Sequence, residues 1–566
     1  MQEPQFPAHG QADAVAGKLS PLDVLRLYPL HDGTLLGALE SRIQADPERP
    51  FLRYRGRTWS RRAFHAAALD LARALTARGI KSGDRVGIVA RNHEGHVLLL
   101  FALARIGAIL VPTNPEFGVT ETRYLLGKAE VSAVAASPEC LANVRETVAE
   151  LAVAPWLIVL DGIADGAVPL AELLGDAAEG AVSFSELPGG APARLSPNLP
   201  PNPPADTSCL IIFTSGSTGF PKGALHSQRN FVTAGEANVA RLWLQPDDRL
   251  MTVLPMFHVN ALFYSLAGAL AAGACCVLIE RFSASAFWDT AVETGATTLN
   301  IIEAIGRILV ARPLAEFRPG HRIRSVYGAR ADVREHFRKA FHIPHLLTGF
   351  GMTEIPGVCC APFDGPDMPG AMGPAGRHPD PERPWAQLRV VDEEGRDVPD
   401  GIEGELWVKH PIVMQGYFRD DEQTRASFHE GWFKTGDLVR RDSDGCFWFV
   451  TRKKDIIRRR GENIAGAELD RVICEHPSVV EAAAIPVPSE LGEDEILVCV
   501  VPRPGAALSA EEIAGWCRAR LAPMKVPRFV LLTSDLPHTP THKVNKQVLK
   551  SDPTLKARAV DLSAAR

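Results

Sequence analysis

Between residues 51 and 136 the chain alternates amphipathic runs with wholly apolar ones. Apolar positions spaced three and four apart predict a helix over 61–78, and the apolar run 85–90 predicts a buried strand. A second helix over 95–106 and a second strand over 108–112 follow, which is the βαβ rhythm of a parallel sheet covered by helices. Strands over 131–136 and 156–160 continue the series before a proline-rich connector, 187–204, that reads as an exposed loop. Residues 209–213 then form a short buried strand running straight into a glycine-rich turn, a place where α/β folds put ligands. From about residue 385 the pattern changes to short strands, 387–391 and 404–408, between Asp/Gly turns, which suggests a small β unit. Beyond residues 452–454 a compact set begins: helix 466–475, strands 480–485 and 496–501, helix 510–521 and strand 528–532. It has the size of a separate domain of about a hundred residues. The fold class is α/β.

Composition narrows the function. A chain of 566 residues is too long for one core, and 46% apolar with 23% charged residues describes a globular protein. Sixty-one basic against 67 acidic residues, net charge -6, lack the basic excess of a general nucleic-acid binder. Ten cysteines form no CxxC pair, and the adjacent pairs Cys275-Cys276 and Cys359-Cys360 sit in apolar contexts, as reduced thiols of a cytoplasmic protein do. The N-terminal residues show no basic-then-apolar secretory signal. Residues 259–279 carry no formal charge and are long enough to cross a bilayer. Asn260, Tyr264, Ser265 and the Gly/Ala break at 271–274 instead predict a buried helix followed by a strand at 275–279, with no integral span.

The chemistry begins at Thr214-Ser215-Gly216-Ser217-Thr218-Gly219-Phe220-Pro221-Lys222-Gly223. Glycine lets backbone N–H groups approach a polyphosphate, hydroxyls donate to its oxygens, and Lys222 offsets its charge. The glycine spacing is not that of a P-loop, in which Ser or Thr follows the lysine; a plain Ser/Gly-rich surface turn is the alternative. Further strings follow in order: Tyr327-Gly328-Ala329-Arg330, Thr348-Gly349-Phe350-Gly351-Met352-Thr353-Glu354, Lys434-Thr435-Gly436-Asp437, Thr451-Arg452-Lys453-Lys454-Asp455, Ile457-Arg458-Arg459-Arg460-Gly461-Glu462-Asn463-Ile464 and the segment at 536–546 containing His542-Lys543. Taken singly, Glu354 could be a carboxylate at a helix N-terminus, Thr435-Gly436-Asp437 a common turn, the basic runs solvated faces and Lys543 a surface lysine.

Together, from about residue 50 to 550, these strings resemble the signatures of the adenylate-forming superfamily: acyl-CoA synthetases, aryl-CoA ligases, luciferases and peptide-synthetase adenylation domains. The resemblance implies an N-terminal domain over 1–453, built of α/β subdomains and the small β unit, and a smaller mobile α+β domain over 454–566. It implies that residues 214–219 and Lys222 wrap the phosphates of ATP, with Gly328, Ala329, Phe350, Gly351 and Met352 along the adenine. Thr353 would meet the α-phosphate region. Glu354 would hold Mg²⁺, because a carboxylate beside phosphates needs a bridging hard cation. Asp437 would accept the two ribose hydroxyls, Arg452 would lie on the ribose or phosphate, and Lys454 would be the pivot. Gly461 would let backbone approach the pantetheine arm of coenzyme A, with Glu462 beside it and the three consecutive arginines Arg458, Arg459 and Arg460 on its phosphates. Lys543 would reach the substrate carboxylate and the α-phosphate.

His258, in Leu254-Pro255-Met256-Phe257-His258-Val259-Asn260, matches the residue beside the acyl pocket, with Asn260, Ile302 and Glu303 lining it. It would orient the acid or gate access rather than act as a base, since the attacking carboxylate is already ionised at neutral pH. An isolated histidine on an apolar stretch is otherwise a core residue. The chain departs from the family at Phe350, usually tyrosine; at Tyr327 and Arg330, usually a small residue and proline; and at His542, usually glycine. The implied activity is ATP-dependent ligation of a carboxylic acid to CoA through an acyl-adenylate, by a chain that could form a homodimer. The wording around 458–463 and 257–261 resembles the crotonobetaine/carnitine-CoA ligase-like branch, and Glu303 would suit a cationic acid or lie on a helix surface. A stand-alone adenylating enzyme with another acceptor, a luciferase-type oxygenase and a silent nucleotide-binding regulator are the other readings. A peptide-synthetase adenylation domain would need a carrier domain, for which little chain follows Lys543, and no G-x-S-x-G elbow or Cys/His metal set points to a hydrolase.

Overall fold

A computed structural model describes residues 17–175, 199–214, 221–363, 365–383, 385–459, 462–489, 494–539 and 543–565. Two compact units emerge: residues 1–214, 221–387 and 409–431, and residues 215–220, 388–408 and 432–566.

The first unit holds two large sheets. Arg85–Val89, Ile109–Thr113, Ala133–Ala136 and Trp156–Val159 run parallel in an eight-stranded sheet, as the βαβ pattern predicts. Ser208–Thr214 joins parallel to Ile109–Thr113, and Lys222–Ser227 lies antiparallel beside it. The seven-stranded sheet is mainly parallel: Arg249–Thr252, Cys275–Leu278, Thr298–Asn300, Ser325–Tyr327 and His345–Leu347, with Pro50–Tyr54 and Arg57–Ser60 added at one edge. Helices Arg61–Ala77 and Glu94–Ile106 pack on each other; the former lies on the strands at 50–60, the latter on Ile109–Thr113 and Ser208–Thr214. They therefore separate the sheets. Glu94–Ile106 is buried almost all round, which is why it reads as a nearly continuous apolar run. Ser60 caps the first helix through Ala63 N–H, and Gly107, at φ 84°, ends the second.

The uncharged stretch becomes a buried π-helical run, Asn260–Leu266, then helix Ala267–Ala272 and strand Cys275–Leu278. Gly273, at φ 67°, supplies the break. Among the described residues no helix is long and apolar enough to cross a membrane.

In the second unit Trp432–Arg441 is the long central strand, paired antiparallel with Glu403–Lys409 and with Phe447–Arg452. The C-terminal sheet has the order Val479–Pro488, Asp494–Pro502, Phe529–Leu532, Val560–Asp561. Its side chains alternate strictly. Ala482, Ala484, Ile496, Val498 and Val500 face a core closed by Leu469, Ile473, Ile513 and Cys517, whereas Ala483, Ile485, Leu497 and Cys499 face a second core with Leu536, Leu549 and Leu555. All ten thiols are free.

Candidate active site

Thr214 and Lys222 stand opposite each other in the antiparallel pair, so the glycine-rich string starts and ends at neighbouring positions. Thr214 Oγ1 donates to the Lys222 carbonyl at 3.4 Å. Ser215, Gly216, Ser217, Thr218 and Gly219 lie outside the described residues, as do Arg460 and Gly461. Lys222 Nζ donates to Gln423 Oε1 at 2.6 Å and stands 5.5 Å from the centre of the Tyr417 ring. Burial pulls its ammonium below the usual lysine range, while Asp420 and Glu354 oppose the shift. Tyr417 O–H donates to Glu354 Oε1 at 2.7 Å. One phenol thus touches both the loop lysine and the candidate metal carboxylate.

Glu354 does not head a helix. It occupies the turn of a hairpin formed by Gly349–Met352 and Ile355–Cys360, and it is only 7% exposed. The hairpin is fixed to the loop's own strand. His226, on Lys222–Ser227, donates from Nε2 to the Thr353 carbonyl at 2.8 Å, and Met414 N–H donates to the Glu354 carbonyl at 2.8 Å. Burial pushes His226 down to about 4, so it is a neutral ring whose one proton is committed to that carbonyl. Among the described residues no group of three His, Cys, Asp or Glu side chains could cage a metal. A single buried carboxylate is the donor set expected for Mg²⁺ that arrives on phosphate oxygens and keeps several waters, so the residues fit that ion.

Gly328, at φ 93°, lies so close to Ile301 that a Cβ would strike its carbonyl oxygen; only glycine fits there. Ala329 is buried behind it. Arg330 caps helix Ala331–Lys339 at φ -71°, a value proline shares, which accounts for the family's alternative at this position. The His258 ring lies tilted at 54° against that of Phe257, centres 4.5 Å apart, just before the π-helical run, and Asn260 opens that run. Ile302 precedes helix Glu303–Ala311. Glu303 is bonded to Arg307 at 2.8 Å and Arg330 at 3.4 Å, so two guanidiniums of the protein already meet its charge.

The second unit carries the other candidates. Thr435-Gly436-Asp437 is not a turn: it lies inside Trp432–Arg441, with Gly436 at φ 71° and Thr435 Oγ1 donating to the Leu406 carbonyl at 2.7 Å. Asp437 stands opposite Arg452 in the ladder, and their side chains pair at 2.8 Å with the Asp437 carboxylate wholly buried. Lys453–Asp455 is a single 3₁₀ turn whose ends are held, Lys453 by Glu405 at 3.0 Å and Asp455 by Lys550 at 2.8 Å. Lys454 is its centre. Strand alternation separates the arginines. Arg458 is exposed, whereas Arg459 is buried against Glu495 and the Met524 and Val526 carbonyls, so it is a core residue rather than a phosphate contact. Glu462 begins the facing strand Glu462–Ala465. Lys543 is exposed at the base of a loop closed by Thr539 N–H to the Lys543 carbonyl at 2.7 Å; His542 lies outside the described residues.

Sequence reading missed Tyr417 and Gln423. Tyr417 sits in a two-residue strand, Gly416–Tyr417, too short for any periodicity; the Gln-Gly-Tyr-Phe string at 415–418 was the available signal.

Residues 39–418 match the family described as AMP-binding enzyme, and residues 468–543 match the AMP-binding enzyme C-terminal domain. A sulfoacetate–CoA ligase from Cupriavidus necator is 33% identical over 91% of this chain and 96% of its own length. An oxalate–CoA ligase from Arabidopsis thaliana is 30% identical over 91% and 98%. The crystal structure of ATP-bound MatB from Rhodopseudomonas palustris superposes with a TM-score of 0.78 at 27% identity, over 92% of this chain and 98% of that one. A glycine-rich string whose ends, Thr214 and Lys222, pair across two strands, a phenol between that lysine and the buried Glu354 carboxylate, and likeness along nearly the whole chain lead to one conclusion: the chain belongs to the AMP-binding enzyme family, as an ATP-dependent, AMP-forming acyl-CoA synthetase.

Proposed function

We propose that these residues divide the reaction as follows. The ionised acid attacks the α-phosphorus of ATP and expels pyrophosphate; the CoA sulfur then attacks the acyl carbonyl and expels AMP. Thr214, the 215–219 segment and Lys222 hold the phosphates, and Glu354 holds Mg²⁺, which when bound neutralises phosphate charge. Phe350, with Gly328 and Ala329, packs on adenine, Thr353 lies by the α-phosphate, and Asp437 with Arg452 takes the ribose. Lys543 offsets the negative charge that gathers between carboxylate and phosphate. His258, Asn260 and Ile302 line the acyl pocket. Arg458, Arg460, Gly461 and Glu462 serve CoA, and residues 454–566 turn about Lys454 between the two steps. Ten free thiols suit a reducing compartment, the cytoplasm.

The observation that supports this most is the chain Lys222, Tyr417, Glu354, which ties a phosphate-loop cation to a magnesium-type carboxylate. The test is pyrophosphate release over a panel of carboxylic acids, with and without CoA, and mass spectrometry of the products. Acid-dependent pyrophosphate with an acyl-CoA mass is expected; an adenylate that never passes to CoA would overturn the acid–thiol assignment.

Tyr417→Phe removes the phenol that orients Glu354. A hydrogen bond to a charged group contributes about 1.5–3 kcal/mol, so isotope exchange between ATP and pyrophosphate is expected to fall by about 10- to 100-fold. Thioester formation from supplied acyl-adenylate should hardly change. Equal loss in both assays would show that Tyr417 supports the fold rather than the metal carboxylate.

A further inference from the structure

Arg241 lies in the last turn of helix Gln228–Leu242, where a cation ordinarily reaches solvent beside the helix carbonyls. Here it points inward and is 8% exposed. Its Nε and Nη1 are buried with no hydrogen-bond partner among the described residues. The guanidinium lies 4.8 Å from the centre of the Tyr264 ring and 5.4 Å from that of Tyr327. It is hydrogen-bonded to Tyr264, which is in turn bonded to Tyr327.

Among the described residues the titratable groups around this charge, Tyr264, Tyr327, His410 and the Cys360 thiol that is also bonded to it, are neutral. Burial raises both phenols and the Cys360 thiol and drives nearby His410 down to about 3. Other buried arginines differ: Arg42 and Arg61 donate to backbone carbonyls, while Arg334 and Arg459 also reach Asp367 and Glu495. A buried guanidinium without an anion is costly, and a sequence keeps one where something negative arrives to pair with it.

The position says what arrives. Tyr264 is on the π-helical run that begins at Asn260, just past His258, and a Cβ on Gly351 would strike its hydroxyl. A Cβ on Gly357, across the same hairpin, would strike the guanidinium itself. The cation thus lies behind the segments assigned above to the acyl pocket and adenine.

We infer that Arg241, with the Tyr264 and Tyr327 hydroxyls, receives a second anionic group on the acid, so that the preferred substrates are short acids bearing two acidic groups. This rests on the acyl-pocket reading of the previous section. One carboxylate is activated and the other anion pairs with the guanidinium. An alkyl end of equal size would leave the buried charge unpaired. A site built around a polar partner rejects the analogue lacking it strongly, so a preference of at least about 10²-fold in kcat/KM is expected.

The test compares matched pairs, malonate with propionate, succinate with butyrate and sulfoacetate with propionate, in CoA-dependent AMP formation by the full-length enzyme and by Arg241→Met and Arg241→Lys. The wild type should favour the dianions. Arg241→Met should lose that preference with the KM for ATP unchanged, and Arg241→Lys should keep part of it. Malonate should raise the Tm of the wild type and not of Arg241→Met, a response that a merely structural arginine would not control. If Arg241→Met fails to fold, the Arg241→Lys and Tyr327→Phe preferences decide: dianion selectivity unchanged in both overturns the inference. A wild type that favours the monoacids, or an Arg241→Met enzyme that retains the preference, also overturns it while leaving the ligase reading intact. AMP formation with no acid of either kind would remove both.

Discussion

Lys543→Ala is expected to slow acyl-adenylate formation by about 10²- to 10³-fold, the loss that follows removal of one preorganised electrostatic stabiliser. The lysine stands exposed, its carbonyl accepting from Thr539 N–H, and comparing the two half-reactions separates a loss of charge from a loss of fold. Two measurements separate the steps: isotope exchange between ATP and pyrophosphate for adenylation, and single-turnover reaction of synthetic acyl-adenylate with CoA for the thioester. The second should stay within a few-fold of the wild type. Equal slowing of both would show that Lys543 acts after adenylation or through the fold.

Lys454→Pro should give the opposite split. Lys454 is the central residue of the 3₁₀ turn Lys453–Asp455, whose two ends are tied to Glu405 and Lys550. Proline fixes φ near -65° and disfavours helical geometry in the residue before it. Pyrophosphate release in the first turnover should remain near the wild-type rate, while acyl-CoA formation falls by about 10²-fold or more, the scale of misplaced reacting groups. Unimpaired overall turnover would rule out the pivot.

What the sequence made legible follows from the range of the forces involved. Helix Arg61–Ala77 is set by its own apolar spacing and its Ser60 cap, and the apolar runs 480–485 and 496–501 predict strands without knowledge of their partners. Local strings also singled out Lys222, Glu354, Asp437 and Lys543 as candidates. Pairing over long distance stayed hidden. Thr435-Gly436-Asp437 has the composition of a turn, yet its cross-strand ladder to Thr451 and Arg452 holds it extended. Glu354 precedes an apolar run that could be helical, but Met414 and His226 fasten it as a hairpin from sites far along the chain. Arg458 and Arg459 are indistinguishable by composition; only the register of Ile456–Arg459 against Glu462–Ala465 turns one to water and the other to Glu495. Arg241 gave no signal, because what sets it apart is that no carboxylate pairs with it among the described residues.

The C-terminal sheet, filled on both faces, has a mechanical corollary. A layer sandwiched between two interdigitated interiors cannot shear without opening one of them, since close-packed side chains resist sliding much as a crystal does. Strain applied at one end is therefore transmitted through the slab rather than absorbed within it. In a lever of this kind the travel of a group mounted at the tip grows in proportion to its distance from the fulcrum.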